Sequence, residues 1–361
     1  MQDDVSPLVL VVLAPFLAIV LVGPLVWYFV VRRLMAGKPI LEHEPRRLAS
    51  WGFIDLLIVV FLLIVFTTGG VALAEQATGL KLFHAAPSSG STKSLLYLML
   101  ISSVSQLLAA ALTGLFIMLR TRATPADLGF SWADLGRDLK LGGAAFCALA
   151  IPTYALQGLL VQFWKSEHPL IESLKVERDP QFLAIAMFAA VISAPLTEEF
   201  VFRVLFQGWL EKMFDPLASR RPNFIVALFI GERVQSEALE AEILDTPEPG
   251  IRFLDAEVIS SERALVNPYV SPAGVTTPPT AFYQQEPPFP TIITDILAIT
   301  ISSAIFAGLH FSHGPDWIPL FGLAIGLGYL YRRTHRILPC LVVHFLLNFT
   351  SMLALCAEIY K

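Results

Sequence analysis

The sequence predicts an all-α protein, a polytopic membrane bundle of about eight transmembrane helices. Of its 361 residues, 55% are hydrophobic and 15% are charged, whereas soluble domains carry about 25% charged residues. Apolar runs of about 20 residues, the length that crosses the hydrocarbon core of a bilayer, recur along the chain. The three cysteines lie in apolar segments and fit neither a disulfide framework nor a CxxC metal site.

Eight apolar stretches are the predicted spans. The N-terminal residues lack the basic segment of a cleaved signal peptide, so the first stretch is expected to be retained. The seventh stretch has about 14 residues, which is short for a full crossing. In chain order the spans are Leu8–Val31, Trp51–Leu73, Leu95–Leu119, Leu141–Phe163, Gln181–Trp209, Thr291–His310, Ile318–Tyr331 and Ile337–Leu355.

The charges of the loops predict the orientation. If the N-terminus lies outside, the loops that face inward hold 18 basic residues and those that face outward hold six. Lys and Arg are enriched in cytoplasmic loops, so this asymmetry favours eight spans with both termini outside.

The chain is expected to fall into three parts. Residues 1–214 hold five transmembrane helices, residues 215–290 a polar cytoplasmic insertion, and residues 291–361 three further helices. The insertion is acidic and then proline-rich, with too little apolar material for a core. We expect it to be mobile, with few contacts to the bundle, although a small regulatory or partner-binding module is the alternative. Within it, Ile225–Ile230 fits a short strand or an interfacial helix.

Two adjacent carboxylates and an arginine interrupt the fifth span. An acidic residue at the centre of a bilayer costs roughly 2.5–3.5 kcal/mol on insertion scales. Glu199 and Arg203 are one helical turn apart and are expected to pair. Glu198 points about 100° away from Glu199, so it is expected to face a cavity. A purely structural ion pair between helices is the alternative.

Two later spans carry histidines. Phe306 and His310 share one face at the end of the sixth span, and His344 and Asn348 share one face of the eighth. A lone histidine in a span is often a packing group, but two polar side chains one turn apart both need partners there. His313 is a spare candidate that is expected to lie in a loop.

These side chains permit two chemistries. In the first, Glu198 takes a proton from a water that attacks a peptide carbonyl, and His310, His344 or Asn348 donates to the oxyanion. In the second, Glu198, His310 and His344 hold a zinc ion. The HExxH signature is absent. The metal-free route is favoured, because the amide of Asn348 suits an oxyanion donor better than a zinc ligand.

Three motifs carry a resemblance to a known family. Glu198-Glu199-Phe-Val-Phe-Arg203 resembles the EExxxR motif of the CAAX prenyl protease type II and bacteriocin-processing (CPBP or Abi) family. Phe306-xxx-His310 and His344-xxx-Asn348 are similar to its FxxxH and HxxxN motifs. The resemblance covers about Gln181 to Leu355 without the insertion. Two features depart from the family pattern: Val204 follows Arg203 where members usually have Gly, and the insertion is long.

The resemblance implies an intramembrane endopeptidase in an integral membrane protein, of the bacterial cytoplasmic membrane. The resemblance implies that Glu198 activates the water and that Glu199 and Arg203 form a supporting pair. It also implies that His310, His344 and Asn348 are catalytic or oxyanion residues. Expected partners are the bilayer and a membrane-embedded or lipid-linked peptide substrate, prenylated or hydrophobic, with no nucleic acid. The rivals are a proton- or ion-coupled transporter and a non-catalytic membrane immunity or binding protein.

The heights of the motifs in the membrane add one expectation. Glu198 lies deep in a span that runs inward, whereas His310 ends a span that runs outward. Their depths agree only if the fifth helix continues to Phe214 and the sixth begins after Thr291.

Overall fold

The computed structural model describes residues 7–44, 48–82, 92–164, 179–216, 218–221, 223–234 and 290–359. Within these residues the fold is all-helical, as predicted, and no strand occurs. The helices are α1 (Pro7–Met35), α2 (Phe53–Thr78), α3 (Thr92–Thr121), α4 (Leu135–Leu160), α5 (Pro180–Phe214), α6 (Phe224–Ile230), α7 (Pro290–Gly308), α8 (Trp317–Thr334) and α9 (Ile337–Ile359).

Each of the eight predicted spans corresponds to a helix, but not every helix is a full span. In the described part of the chain, six helices are long and apolar enough to cross a membrane, namely α1 to α5 and α9. The apolar part of helix α7 is shorter, and α8 carries Arg332 and Arg333 in its last turn. The fifth helix continues to Phe214, as expected. The expected late start of the sixth is wrong: α7 begins at Pro290, since the fixed φ of proline suits a first helical turn.

Helix α5 combines two backbone geometries. The π-helical segments Phe188–Ser193 and Phe200–Gln207 flank a single α-helical stretch, Ala194–Glu199. Such π-segments are rare, and they are found frequently at functional sites. The carboxylates of the first motif therefore lie at the junction between α- and π-helical backbone.

The other helices enclose α5. It contacts α3, α7 and α9, while α4 packs against α1, α8 and α9. Other close pairs include α2 with α3 and α7 with α8. The outer faces of α1 and α2 expose large apolar side chains such as Leu17, Val20 and Phe61, as expected of surfaces that face lipid.

The first residues of the predicted insertion are part of the bundle. Residues 223–234 are described, and Ile225–Ile230 forms most of helix α6, which packs against α2 and the end of α5. The expectation of few contacts with the bundle is therefore wrong for this part. Residues 235–289, which hold the rest of the insertion, lie outside the described residues.

A buried lysine explains this attachment. The Lys212 side chain is 1% exposed, and its Nζ donates to the carbonyl oxygens of Ala49 at 2.8 Å and Ala227 at 2.9 Å. The backbone N–H of Glu232 donates to the Ser50 carbonyl at 2.8 Å, and its carboxylate lies 3.5 Å from Nζ. An ammonium group inside the protein requires such partners, so the sequence around α6 completes the end of α5.

We predict that residues 235–288 can be replaced by a short Gly/Ser linker without loss of the folded bundle. The attachment through Lys212 and Glu232 stays intact in this variant. A matched replacement of residues 223–288 removes α6 and, with it, the Ala227 carbonyl and the Glu232 carboxylate that contact the buried lysine, so it should lower the melting temperature by several degrees. Size-exclusion profiles and thermal unfolding in detergent give the comparison. An aggregated 235–288 replacement would contradict the prediction.

Candidate active site

A cavity inside the helical bundle brings together the polar side chains of three motifs. Its volume is about 580 Å³, and α3, α4, α5, α8, α9 and the end of α7 form its walls. Glu198, His310, His344 and Asn348 all line it. The structure therefore places these four predicted residues on one surface, although they come from α5, α9 and the turn that follows α7.

Glu199 is buried between two nitrogen donors. Its Oε2 accepts from Nε of Arg203 at 3.1 Å, and both side chains are 0% exposed. Its Oε1 accepts from Nδ1 of His344 at 2.8 Å. The pairing of Glu199 with Arg203 is the one that the helical spacing predicts. Because both oxygens of Glu199 are engaged, this carboxylate orients its neighbours and does not face the cavity.

Glu198 occupies the cavity wall. Its side chain is 27% exposed, and its Oε2 lies 3.7 Å from Nε2 of His344. The one-residue step along the helix turns it away from the Glu199–Arg203 pair. Glu198 is thus the carboxylate that a water or substrate in the cavity can reach.

His344 lies between the two carboxylates. Its Nδ1 donates to Glu199, and this bond places the proton of the neutral ring on Nδ1. Nε2 is then directed toward Glu198 and the cavity. A carboxylate that accepts from one ring nitrogen fixes the tautomer and the orientation of the whole imidazole, as in catalytic histidines. When protonated, His344 presents an N–H toward Glu198.

His310 lies in a turn just beyond the end of α7. Its Nδ1 donates to the carbonyl oxygen of Phe306 at 2.9 Å, in the neutral tautomer that this bond favours. Nε2 of that tautomer is an acceptor, and it becomes a donor only when the ring is charged. The predicted role as an oxyanion donor therefore requires a protonated His310, whereas the neutral ring is suited to hold a water. The spare candidate His313 ends the 3₁₀ turn Phe311–His313.

Asn348 contacts the backbone of the fifth helix. Its Nδ2 donates to the carbonyl oxygen of Ala190 at 2.7 Å, and the side chain also lines the cavity. One of its two amide hydrogens is thus engaged within the protein. The second amide hydrogen would have to make the oxyanion contact that is predicted for Asn348.

Phe306 connects the three motifs, a role that the sequence did not reveal. Its ring is 1% exposed and lies 5.0 Å from the ring of His310 and 6.2 Å from that of His344. The guanidinium of Arg203 lies 5.7 Å from its centroid, within cation–π range. The phenylalanine of the FxxxH motif indicated that this residue matters, but its contacts depend on how the helices pack.

A glycine of α8 lies beside the buried guanidinium. The sequence contains a GxxxG pair, Gly322 and Gly326, yet the glycine beside Arg203 is Gly328. A Cβ at Gly328 would lie 3.0 Å from Gln207 Oε1 and 3.6 Å from Arg203 Nη1. Among the described residues, neither Nη1 nor Nη2 of Arg203 has a hydrogen-bond partner. The pairing with Glu199 is therefore the main compensation for its buried charge.

The grouping of possible metal ligands can be compared with the predicted zinc set. In the described part of the chain, no three His, Cys, Asp or Glu side chains are grouped so that they could hold a metal ion. Nδ1 of His344 and Nδ1 of His310 both bond to oxygens of the protein. A histidine that binds a metal commonly donates its other ring N–H to such an oxygen, so the zinc set of Glu198, His310 and His344 stays a prediction.

Comparison with known proteins supports the family resemblance. The family model for type II CAAX prenyl endopeptidase, Rce1-like, matches residues 281–350. The match includes the FxxxH and HxxxN motifs, while Glu198, Glu199 and Arg203 lie outside it. No curated protein and no solved structure matches the chain. The matched family and the long apolar helices support an integral membrane protein with a CAAX-type intramembrane protease activity in general.

We predict that Arg203→Ala lowers the folded yield in the membrane as well as any activity. The change leaves Glu199 buried without its cation, a loss that typically costs about 3–5 kcal/mol. Arg137→Ala is the matched control, because that side chain is 62% exposed and its ion pair lies at the surface. Yield and melting temperature in detergent measure both variants. Normal yield together with full activity of Arg203→Ala would refute the assigned role of the pair.

Proposed function

We propose that this protein is an intramembrane endopeptidase that hydrolyses peptide bonds of membrane-associated substrates. The observation that carries the proposal is the convergence of Glu198, His310, His344 and Asn348 on one cavity within apolar helices. Polar groups at such positions are costly and are typically functional. The family match over residues 281–350 supports the same class of reaction.

Glu198 acts as the general base in this proposal. Its carboxylate and Nε2 of His344 are 3.7 Å apart, which is close enough for one water to contact both. Glu198 takes a proton from the water while the water oxygen bonds to the peptide carbonyl carbon. As the C–N bond then breaks, the proton is delivered to the leaving nitrogen. The protein thus supplies a base and returns its proton as an acid.

The remaining residues stabilise the negative charge that develops on the carbonyl oxygen. His344 in its protonated form donates from Nε2, and Glu199 holds its ring through Nδ1. Arg203 balances the charge of Glu199, so that the carboxylate stays ionised and continues to accept from His344. The second amide hydrogen of Asn348 and a charged His310 are further candidate donors.

The lining of the cavity indicates the class of substrate. Apolar side chains from three helices, including Leu98, Leu320 and Leu347, share the walls with the polar groups. Such a surface suits a hydrophobic or lipid-linked peptide segment, including a prenylated one. The proposal places the chain in a bacterial cytoplasmic membrane with both termini outside and the insertion inside, the orientation that the 18 to six distribution of loop charges favours.

We predict that Glu198→Gln abolishes cleavage of membrane peptides while the protein remains folded. The amide keeps the shape but cannot take a proton, and general-base catalysis contributes about 10²–10⁴-fold. Asp179→Asn is the matched control, because it makes the same change on the same helix and keeps an N-cap that binds Gln181 N–H. Cleavage is followed by mass spectrometry on membrane proteomes and on apolar peptides in proteoliposomes. Cleavage by Glu198→Gln at the rate of the control would contradict the role of Glu198 as the base, and the absence of cleavage even in the wild-type protein would favour a transporter or a binding protein.

We also predict that hydrolysis survives exhaustive chelation. The proposed base is Glu198 itself, and the donors of the cavity are not grouped as a metal set in the described residues. Activity is measured after dialysis against a chelator, with and without added Zn²⁺. Loss of activity that Zn²⁺ restores, with about one metal bound per chain, would instead assign Glu198, His310 and His344 as ligands.

A further inference from the structure

A proline next to the first motif leaves one helix carbonyl without a backbone donor. In the π-helical segment before it, the N–H of Ala194 donates to the carbonyl of Ala189, five residues earlier. In the same pattern the carbonyl of Ala190 would accept from residue 195. That residue is Pro195, which has no N–H. A partly buried carbonyl in this position is stabilised by a donor from elsewhere in the protein.

Asn348 supplies this partner from another helix. Its Nδ2 donates to the Ala190 carbonyl at 2.7 Å. On α9, Asn348 lies one turn after His344, while on α5 Ala190 lies about two turns before Glu198. The bond therefore joins the two helices close to the place where Glu198 and His344 approach each other.

A second bond holds the same stretch of α5 to α3. The hydroxyl of Ser193 donates to the carbonyl oxygen of Ser103 at 2.8 Å, and Ser193 is fully buried. The stretch Ala194–Glu199 is thus preceded by attachments to α3 and to α9. Both attachments use backbone carbonyl oxygens, so the height and rotation of the Glu198 turn are fixed relative to its neighbours.

We propose that Asn348 is a positioning residue that sets the distance between Glu198 and His344 by binding the carbonyl that Pro195 leaves open. The inference rests on the proposed function only for its catalytic consequence, because the bond between the helices exists whether or not the protein hydrolyses peptides. It differs from the oxyanion role in one respect. The contribution of a positioning Asn348 depends on Pro195, whereas that of a direct oxyanion donor does not.

A double-mutant cycle tests this dependence. Pro195→Ala restores an N–H, so the Ala190 carbonyl gains a donor within its own helix. Asn348→Ala should lower the melting temperature by several degrees in the wild-type background and by much less in the Pro195→Ala background. It should also reduce kcat by about tenfold to a hundredfold with little change in KM, since misplaced groups react slowly. The loss of kcat should shrink to a few-fold in the Pro195→Ala background.

Two controls sharpen the result. Pro152→Ala removes a proline from α4, away from α5, so Asn348→Ala should keep its full effect in that background. Asn348→Asp keeps the shape but replaces the donor with an acceptor, and it should be at least as damaging as Asn348→Ala to the melting temperature. If Pro195→Ala fails to fold, the melting temperature of Asn348→Asp still tests the bond to the Ala190 carbonyl.

The outcomes are distinguishable from failure of the protease assignment. If no variant cleaves any peptide, the proposed function fails, but the thermal cycle still reports the bond between Asn348 and Ala190. Equal losses of melting temperature and kcat in both proline backgrounds would overturn the proposal and favour a direct role for Asn348 at the oxyanion. Wild-type melting temperature and kcat in Asn348→Asp would overturn it as well.

Discussion

The burial of one carboxylate governs the rest of this structure. Glu199 has no exposure to solvent, so its charge must be matched inside the protein, and Arg203 and His344 provide the match. These two bonds bring α9 against α5 and fix the ring of His344. They also leave Glu198, the next residue along the chain, at the wall of the cavity. The division between a carboxylate that orients and a carboxylate that can react thus follows from a single helical step.

Patterns of period and composition predicted much of this arrangement. The apolar runs gave the positions of all eight large helices, and the i, i+4 spacing predicted that Arg203 would pair with Glu199. Such features depend on local geometry, which the sequence encodes directly. The convergence of Glu198, His310, His344 and Asn348 was expected from the cost of isolated polar groups in a bilayer, and the geometry agrees. Their chemical roles stay predictions.

What escaped prediction depends on contacts between distant segments. Low apolar content suggested that the insertion would stay apart from the bundle, but Lys212 needs carbonyl partners, and helix α6 supplies one of them. The contacts of Phe306 with residues of all three motifs arise from the angles at which α5, α7 and α9 meet. The π-helical segments of α5 were also not predictable from the sequence, because the presence of Pro195 alone does not indicate whether a helix bends, breaks or widens. In each case, a partner more than a few residues away decides the outcome.

The pairing within α5 also bears on biosynthesis. Glu199 and its partner His344 are 145 residues apart, and everything between them, including the long insertion, must be synthesised before they can meet. Arg203, by contrast, follows only four residues later on the same helix. A helix that leaves the ribosome with these two charges one turn apart enters the membrane with Glu199 already paired. The nascent protein can therefore hold this carboxylate in the bilayer next to Arg203 until the last helix supplies His344.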